Sequence, residues 1–201
     1  MVVLLGKAVV IAGTPGTGKS SVCKEISETC GLRVVNLSQV AVEKGFVVMY
    51  DERRDTYVID ENKLANYIAD LVKSSSGIIV IQTHYPEIVP RELVEAVYVL
   101  RTHPLVLEKR LLERGWSTRK INENVMAEIL GVVVTNALMA FGEERVFEVE
   151  TTNTRPEEVA NLICSAIKGL VKLKPGVRID WLSVLDPETV IKFEKYLGEE
   201  D

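Results

Sequence analysis

Short apolar runs alternate with stretches whose apolar residues recur every three to four positions, and this pattern holds to about residue 170. The runs 8–12, 33–37, 77–81, 96–100 and 146–150 read as strands. The segments 20–30, 62–73, 105–114, 123–141 and 155–171 read as helices, the first with Val22, Ile26 and Thr29 on one face. Strands and helices in strict alternation predict a parallel sheet joined by crossover helices. Thr154 is the expected cap of the last of these helices, with Glu157 completing a capping box. Lys174-Pro175-Gly176 then breaks the pattern. The following tail, 173–201, holds Trp181-Leu182, Val184-Leu185 and a helix start at Asp186-Pro187-Glu188. Val190, Phe193 and Leu197 would share one face of that helix and Gly198 would end it. This element either folds back on its own domain or docks another chain, and the pattern fits both.

Length and charge narrow the class. A chain of 201 residues suits one α/β domain, here 1–172, plus a small appendage. A net charge of −5 argues against nucleic acid as a general electrostatic partner, although a local basic patch could still bind it. No apolar stretch approaches a membrane span and the N-terminus lacks a signal-peptide layout, so a cytoplasmic protein is expected. Cys23, Cys30 and Cys164 are too few and scattered for a disulfide framework or a zinc-binding lid, and are expected to be reduced, mostly buried thiols.

The chemistry is concentrated in Gly13-Thr14-Pro15-Gly16-Thr17-Gly18-Lys19-Ser20, which follows an apolar strand and opens a helix. This is the P-loop spacing and context. Its glycines, chiefly Gly13, Gly16 and Gly18, let backbone N–H groups turn inward around phosphate oxygens, with Thr17 in the same turn. Lys19 is expected to reach the β- and γ-phosphates and the Ser20 hydroxyl to ligate Mg²⁺, which makes ATP the expected bound nucleotide.

Two further stretches bear on where the phosphoryl group goes. Arg101, Arg110, Arg114, Arg119 and Lys120 follow the fourth strand of the sheet, and 108–120 holds five cations against two anions. Arg110 and Arg114 are four apart on a predicted helix, and guanidinium groups suit phosphoryl oxygens whose charge shifts during transfer. Arg101, Arg110 and Arg114 are therefore candidate catalytic residues. The other stretch is the strand 78–81, which ends in Gln82-Thr83-His84. P-loop proteins usually carry an acid there to hold water on Mg²⁺. Gln82 takes that metal-side position without a charge. His84 could orient water or phosphate, act as a base when neutral, or simply be satisfied at a strand end.

These motifs occur in order with Tyr50-Asp51-Glu52, Val58-Ile59-Asp60-Glu61, Leu100-Arg101-Thr102 and Arg114-Gly115-Trp116-Ser117-Thr118-Arg119-Lys120-Ile121-Asn122-Glu123-Asn124. Over 9–167 the chain resembles the adenylate kinase isoenzyme 6 family, small P-loop nucleoside monophosphate kinases and ATPases tied to small ribosomal subunit maturation. The resemblance implies a five-stranded parallel sheet with helices on both faces. It also implies a monophosphate-binding insert at 36–59 and a lid at 114–124, with Gly16, Gly18, Lys19, Ser20 and Ser21 holding the triphosphate and Arg114 meeting ATP from the lid. The implied reaction is phosphoryl transfer from ATP to a nucleoside monophosphate such as AMP, with accompanying ATPase activity.

The implied partner is small-subunit ribosomal protein number eleven, with the pre-ribosome reached indirectly; a monomer is expected. The rival reading is an ATP-switched assembly factor that binds and releases that protein, and a third is a nucleotide-binding module with almost no turnover. The chain departs from the family twice. Its Asp-x-His reads Gln82-Thr83-His84, and Val42 stands where the insert's arginine follows Val40-Ala41. Arg53 and Arg54 lie in the same insert and are candidates for that arginine's role.

Overall fold

A computed structural model of the protein describes residues 6–52 and 56–194. Seven strands are present in it: β1 (Lys7–Ala12), β2 (Arg33–Asn36), β3 (Val47–Asp51), β4 (Thr56–Ile59), β5 (Ile78–Gln82), β6 (Val94–Arg101) and β7 (Val146–Glu150). Five form one sheet in the order β2-β5-β1-β6-β7, with every pairing parallel. The other two, β3 and β4, make a separate antiparallel hairpin. The helices are α1 (Lys19–Cys30), α2 (Leu37–Glu43), α3 (Glu61–Lys73), α4 (Pro104–Leu112), α5 (Thr118–Ile129), α6 (Val132–Phe141), α7 (Pro156–Ile167) and α8 (Pro187–Glu194).

Period-2 alternation along the strands distributes the core over both sheet faces. Val10, Ile81, Val97 and Val99 meet α3 and α6 on one face. Val9, Ile11, Val80, Tyr98 and Leu100 meet α1 and α7 on the other. Helices on both faces are what a parallel sheet requires, since each face is apolar. Among the described residues, no single helix is long and apolar enough to cross a membrane.

Three helix expectations shift. The segment read as one helix over 123–141 is two, α5 and α6, bent by 50°. Gly131 sits between them at φ +63°, and a Cβ there would lie 3.1 Å from the Val134 side chain. A left-handed residue of this kind ends a helix whatever the surrounding periodicity. The cap of α7 is Arg155 rather than Thr154, and its box partner is Glu158 rather than Glu157, whose carboxylate accepts from the Arg155 N–H at 3.3 Å. The helix opens one residue later because Pro156 takes its first turn, where a missing N–H costs nothing. α4 ends at Leu112, so Arg114 lies just beyond it.

The tail folds back on its own domain. Gly176 bridges to Phe147 at the edge of β7, donating its N–H to Val146 at 2.9 Å. Asp186 caps α8 by accepting from the Thr189 N–H at 2.8 Å. Phe193 is fully buried among Leu107, Leu111, Ile121 and Val125 of α4 and α5. Burying such a ring is worth about 2–3 kcal/mol, which explains why this short helix holds its place. Leu197 and Gly198 lie outside the described residues.

The expectation of three reduced thiols is overturned. Cys30 and Cys164 form a disulfide, with Cα atoms 6.3 Å apart, and Cys23 is free and buried. α1 and α7 pack side by side and bring together cysteines 134 positions apart, which no local spacing could announce. Burial pushes the Cys23 thiol up to about 12, so it is unreactive at neutral pH. Thiol titration of the denatured, unreduced protein should therefore find one thiol per chain, and three after reduction. Closing so long a loop typically stabilises by about 2–4 kcal/mol, so reductant should lower Tm by roughly 5–15 °C. Three thiols before reduction would remove the bridge.

Candidate active site

The P-loop leaves the carboxyl end of β1, passes Gly13 to Gly18 and enters α1. Two of its glycines are required by contact. A Cβ on Gly13 would lie 2.6 Å from the Leu100 carbonyl oxygen, and one on Gly16 would lie 2.5 Å from the Leu107 side chain. Gly18 has φ +94° and nothing within 4 Å of where its Cβ would be, so it opens toward the cleft. Thr17 is buried, its hydroxyl donating to the Thr14 carbonyl at 2.8 Å.

Lys19 is half-buried at the base of the loop, donating to the carbonyls of Gly13 at 2.6 Å and Thr14 at 3.0 Å. Burial lowers its pKa to about 8, opposed by Cys23 and Glu128 and assisted by Arg114. It stays mostly protonated at neutral pH.

Beside it, Gln82 Nε2 donates to Ser20 Oγ at 3.0 Å. Gln82 shares the face of Val80, which looks toward α1. A hard cation such as Mg²⁺ takes oxygen ligands, keeps several waters and shares phosphate oxygens. The Ser20 hydroxyl with the amide oxygen of Gln82 as a water acceptor fits that need, though with no protein charge. Among the described residues no cluster of three or more His, Cys, Asp or Glu could hold a metal unaided. Gln82→Asp should lower the Mg²⁺ needed for half-maximal turnover by about tenfold, the low end of what outer ligands contribute. An unchanged Mg²⁺ titration would remove Gln82 from the metal side.

His84 lies past the end of β5, half-buried, with its ring 4.1 Å from that of Tyr85. Burial, and then the charge of Lys19, lowers its pKa to about 4. It is a neutral imidazole at pH 7, able to accept a proton or a hydrogen bond.

Three spaces surround these groups. A cleft of about 370 Å³ lies over the P-loop, lined by Gly16, Gly18, Ser21, Arg110, Arg114 and Thr151. A pocket of about 290 Å³ lies under the α2 and hairpin region, lined by Leu37, Val42, Tyr57, Leu64 and His84 among others. A chamber of about 440 Å³, bounded by Thr14, Pro15, His84, Trp116 and Lys120, shares Thr56, His84 and Tyr85 with that pocket.

The arginines divide. Arg110 and Arg114 reach the cleft together although only Arg110 is helical. Arg110 also donates to the Thr151 and Thr152 carbonyls at 3.0 and 3.1 Å, which fixes its guanidinium at the cleft wall. Arg101 corrects the sequence reading. It is 2% exposed and spends its guanidinium on Glu128 Oε1 at 2.8 Å, the Glu128 carbonyl at 2.9 Å and Glu148. Its strand position shares the parity of Val97 and Val99, which places it on the face opposite α1. It faces a buried network and not a phosphate.

Glu128 and Thr151 carried no signal in the motif. Glu128 is buried on α5 and accepts from the Thr14 hydroxyl at 2.7 Å, the Thr102 N–H at 3.1 Å and Trp181 Nε1 at 3.1 Å. One carboxylate thus ties together the P-loop, the end of β6 and the tail. Thr151 donates to the Thr17 carbonyl at 2.9 Å, holding the loop from the β7 side. The polar run Thr151-Thr152-Asn153-Thr154 after a strand's carboxyl end was the available clue, since open α/β sheets bind ligands at that edge.

A family model described as AAA domain matches residues 9–131. A protein from Pyrococcus furiosus, named "Putative adenylate kinase", is 36% identical over 191 residues, 95% of this chain and 99% of its own length. One of the same name from Saccharolobus solfataricus is 39% identical over 155 residues, 77% of this chain and 80% of its own. Among solved structures, shikimate kinase from Acinetobacter baumannii in complex with shikimate gives a TM-score of 0.55 at 12% identity, covering 83% of this chain and 95% of that one. Shikimate kinase from Bacteroides thetaiotaomicron gives 0.54 at 12% identity, covering 81% and 98%. At such identities these two share the fold alone. The P-loop, the parallel sheet behind it and the two relatives matched over most of their length together make this chain a member of the AAA-domain P-loop family that includes those adenylate-kinase-named proteins.

Proposed function

We propose that the protein is a nucleoside monophosphate kinase that transfers the γ-phosphoryl of ATP to an acceptor, AMP by preference, giving two ADP. It hydrolyses ATP when no acceptor is bound. One observation carries the reading: one cleft opens at Gly16 and Gly18 of the P-loop, and a separate chamber at Thr14 and Pro15 of the same loop shares Thr56, His84 and Tyr85 with the pocket under α2. A donor and an acceptor held at such positions react by proximity, with charge stabilisation and little covalent help from the protein.

In this reading the loop amides and Lys19 hold the donor phosphates, and Arg110 and Arg114 neutralise charge on the donor side. The segment 114–124 acts as lid and 36–59 as acceptor insert. In the accompanying hydrolysis, neutral His84 accepts a hydrogen bond from the attacking water; in transfer to AMP the nucleophile is a phosphate oxygen and needs no base. Mg²⁺, held through Ser20 with Gln82 behind it, would supply charge neutralisation on the phosphates. The names of the relatives support a nucleotide acceptor.

The deciding experiment is steady-state ADP production from ATP with and without AMP. AMP should raise the rate in a saturable way, above a slower ATPase. An unchanged rate would remove the kinase reading.

A second reading keeps the ATPase as a switch for ribosome assembly, with ribosomal protein eleven as partner. It is favoured by the neutral Gln82 beside Ser20 and by Val42, 56% exposed where the resembled family has an arginine. Both features fit slow turnover. Nucleotide-dependent binding of the partner in calorimetry would support it, with a coupling of roughly 5- to 150-fold. Identical binding with ATP, ADP or no nucleotide would end it.

A further inference from the structure

Glu128 is a buried carboxylate whose bonds the proposed reaction does not use. Among the described residues, its Oε1 accepts from Arg101 Nε at 2.8 Å, the Thr102 N–H at 3.1 Å and Trp181 Nε1 at 3.1 Å. Its Oε2 accepts from the Thr14 hydroxyl at 2.7 Å. A carboxylate offers about four lone-pair sites, so these donors leave it little freedom to turn. With Oε1 held by the end of β6 and by the tail, Oε2 is aimed at the P-loop.

The hold on Thr14 extends to the phosphate site. The Thr14 carbonyl oxygen accepts from Lys19 Nζ at 3.0 Å, from the Thr17 N–H at 3.2 Å and from the Thr17 hydroxyl at 2.8 Å. The residue that carries the Lys19 ammonium is thus itself fixed by a side chain 114 positions away. Thr14 is 1% and Glu128 2% exposed, so the bond between them is shielded from water and strong for its kind. At the other end, the tail has its own anchors for Trp181. Glu148 accepts from the Arg178 and Ile179 N–H groups, and Phe193 is buried against α4 and α5. The indole itself stands edge-on to His103, with ring centres 5.3 Å apart.

We propose that Trp181 and Glu128 are positioning residues for the phosphate-binding loop, which makes the tail 177–194 a functional part of the active site. The Trp181 indole orients the Glu128 carboxylate, Glu128 orients Thr14, and Thr14 orients Lys19 and Thr17. This rests on the phosphoryl-transfer reading above in taking ATP turnover as its readout. An indole serving packing alone would need no bond to that carboxylate, and a phenyl ring would fill much of the same space. A donor acts on developing charge to the extent that its place is fixed beforehand, so a loosened Thr14 slows transfer while the loop still folds.

The test measures initial rates of ADP production from ATP, with and without AMP, well below the Tm of each variant. Thr14→Val removes the hydroxyl and keeps the shape. It should lower kcat/KM for ATP by about 10- to 100-fold, since a misplacement of up to about 1 Å costs that much. Thr14→Ser restores a hydroxyl and should recover most of the loss. Trp181→Phe keeps an aromatic ring and removes its N–H. It should lower kcat/KM by about 3- to 10-fold, less than Thr14→Val because Arg101 and Thr102 still hold the same oxygen. The double variant Thr14→Val/Trp181→Phe should be no slower than Thr14→Val alone, because the relay is already cut at Thr14. Additive losses in that cycle overturn the proposal, since Trp181 would then act by another route. So does a Trp181→Phe variant with lowered Tm but kcat/KM within about twofold of wild type, which would make the tail a packing element only. Equal losses in Thr14→Val and Thr14→Ser overturn it as well. Absence of AMP stimulation in the wild type defeats the kinase reading instead, and the rates with ATP alone still decide the relay. If the wild type turns over no ATP under either condition, both readings fall.

Discussion

Lys19→Ala is expected to abolish turnover, with and without an acceptor, at saturating ATP. Its ammonium is held by the Gly13 and Thr14 carbonyls at the base of the loop. Those bonds fix it before any nucleotide arrives, and a donor fixed in advance acts fully on charge that develops during transfer. Removing one such donor costs about 3–4 kcal/mol, or roughly 10²–10³-fold in kcat. The fold should survive, because the loop remains pinned by Thr14 to Glu128 and by Thr151 to the Thr17 carbonyl. A variant keeping more than about a tenth of wild-type kcat would contradict the role, since tenfold is only about 1.4 kcal/mol.

Arg101→Met is expected to act in the opposite way, on stability before rate. Arg101 is a single buried cation facing the carboxylates of Glu128 and Glu148. The surplus negative charge is offset by N–H donors, from Thr102 and Trp181 to Glu128 and from Arg178 and Ile179 to Glu148. Removing the guanidinium leaves both carboxylates buried without their cation, which typically costs about 3–5 kcal/mol. For a chain of this size that is a fall in Tm of roughly 6–20 °C. Because three of the offsetting donors, Trp181, Arg178 and Ile179, belong to the tail, the same variant should expose 177–194 to protease. Normal Tm with lost turnover would instead restore Arg101 to the transfer site.

These two outcomes divide along what a sequence can encode. The P-loop around Lys19 was legible because its parts are local: a strand, a glycine turn and a helix N-terminus within about a dozen residues. Gln82 was legible as well, since its parity with Val80 sends it toward α1 and Ser20. The parallel sheet followed from apolar runs alternating with helical periods, and its five strands stand within two residues of where the pattern put them. Arg101 was misread because a cation after a strand looks the same on either face, while the same alternation that served Gln82 turned it toward α6.

The P-loop cradle, the five strands and the alternation of their two apolar faces were determined by the sequence alone, since each is written in a short-range pattern of glycines or of apolar and polar positions. Only the tertiary structure decided the Cys30–Cys164 bridge, the Glu128 node and the docking of Phe193. Each joins groups separated by dozens of residues, and their meeting is set by how helices pack across the sheet. Gly131 belongs with them: its periodic surroundings favoured one long helix, and packing against Arg101 and Val134 selected the bend.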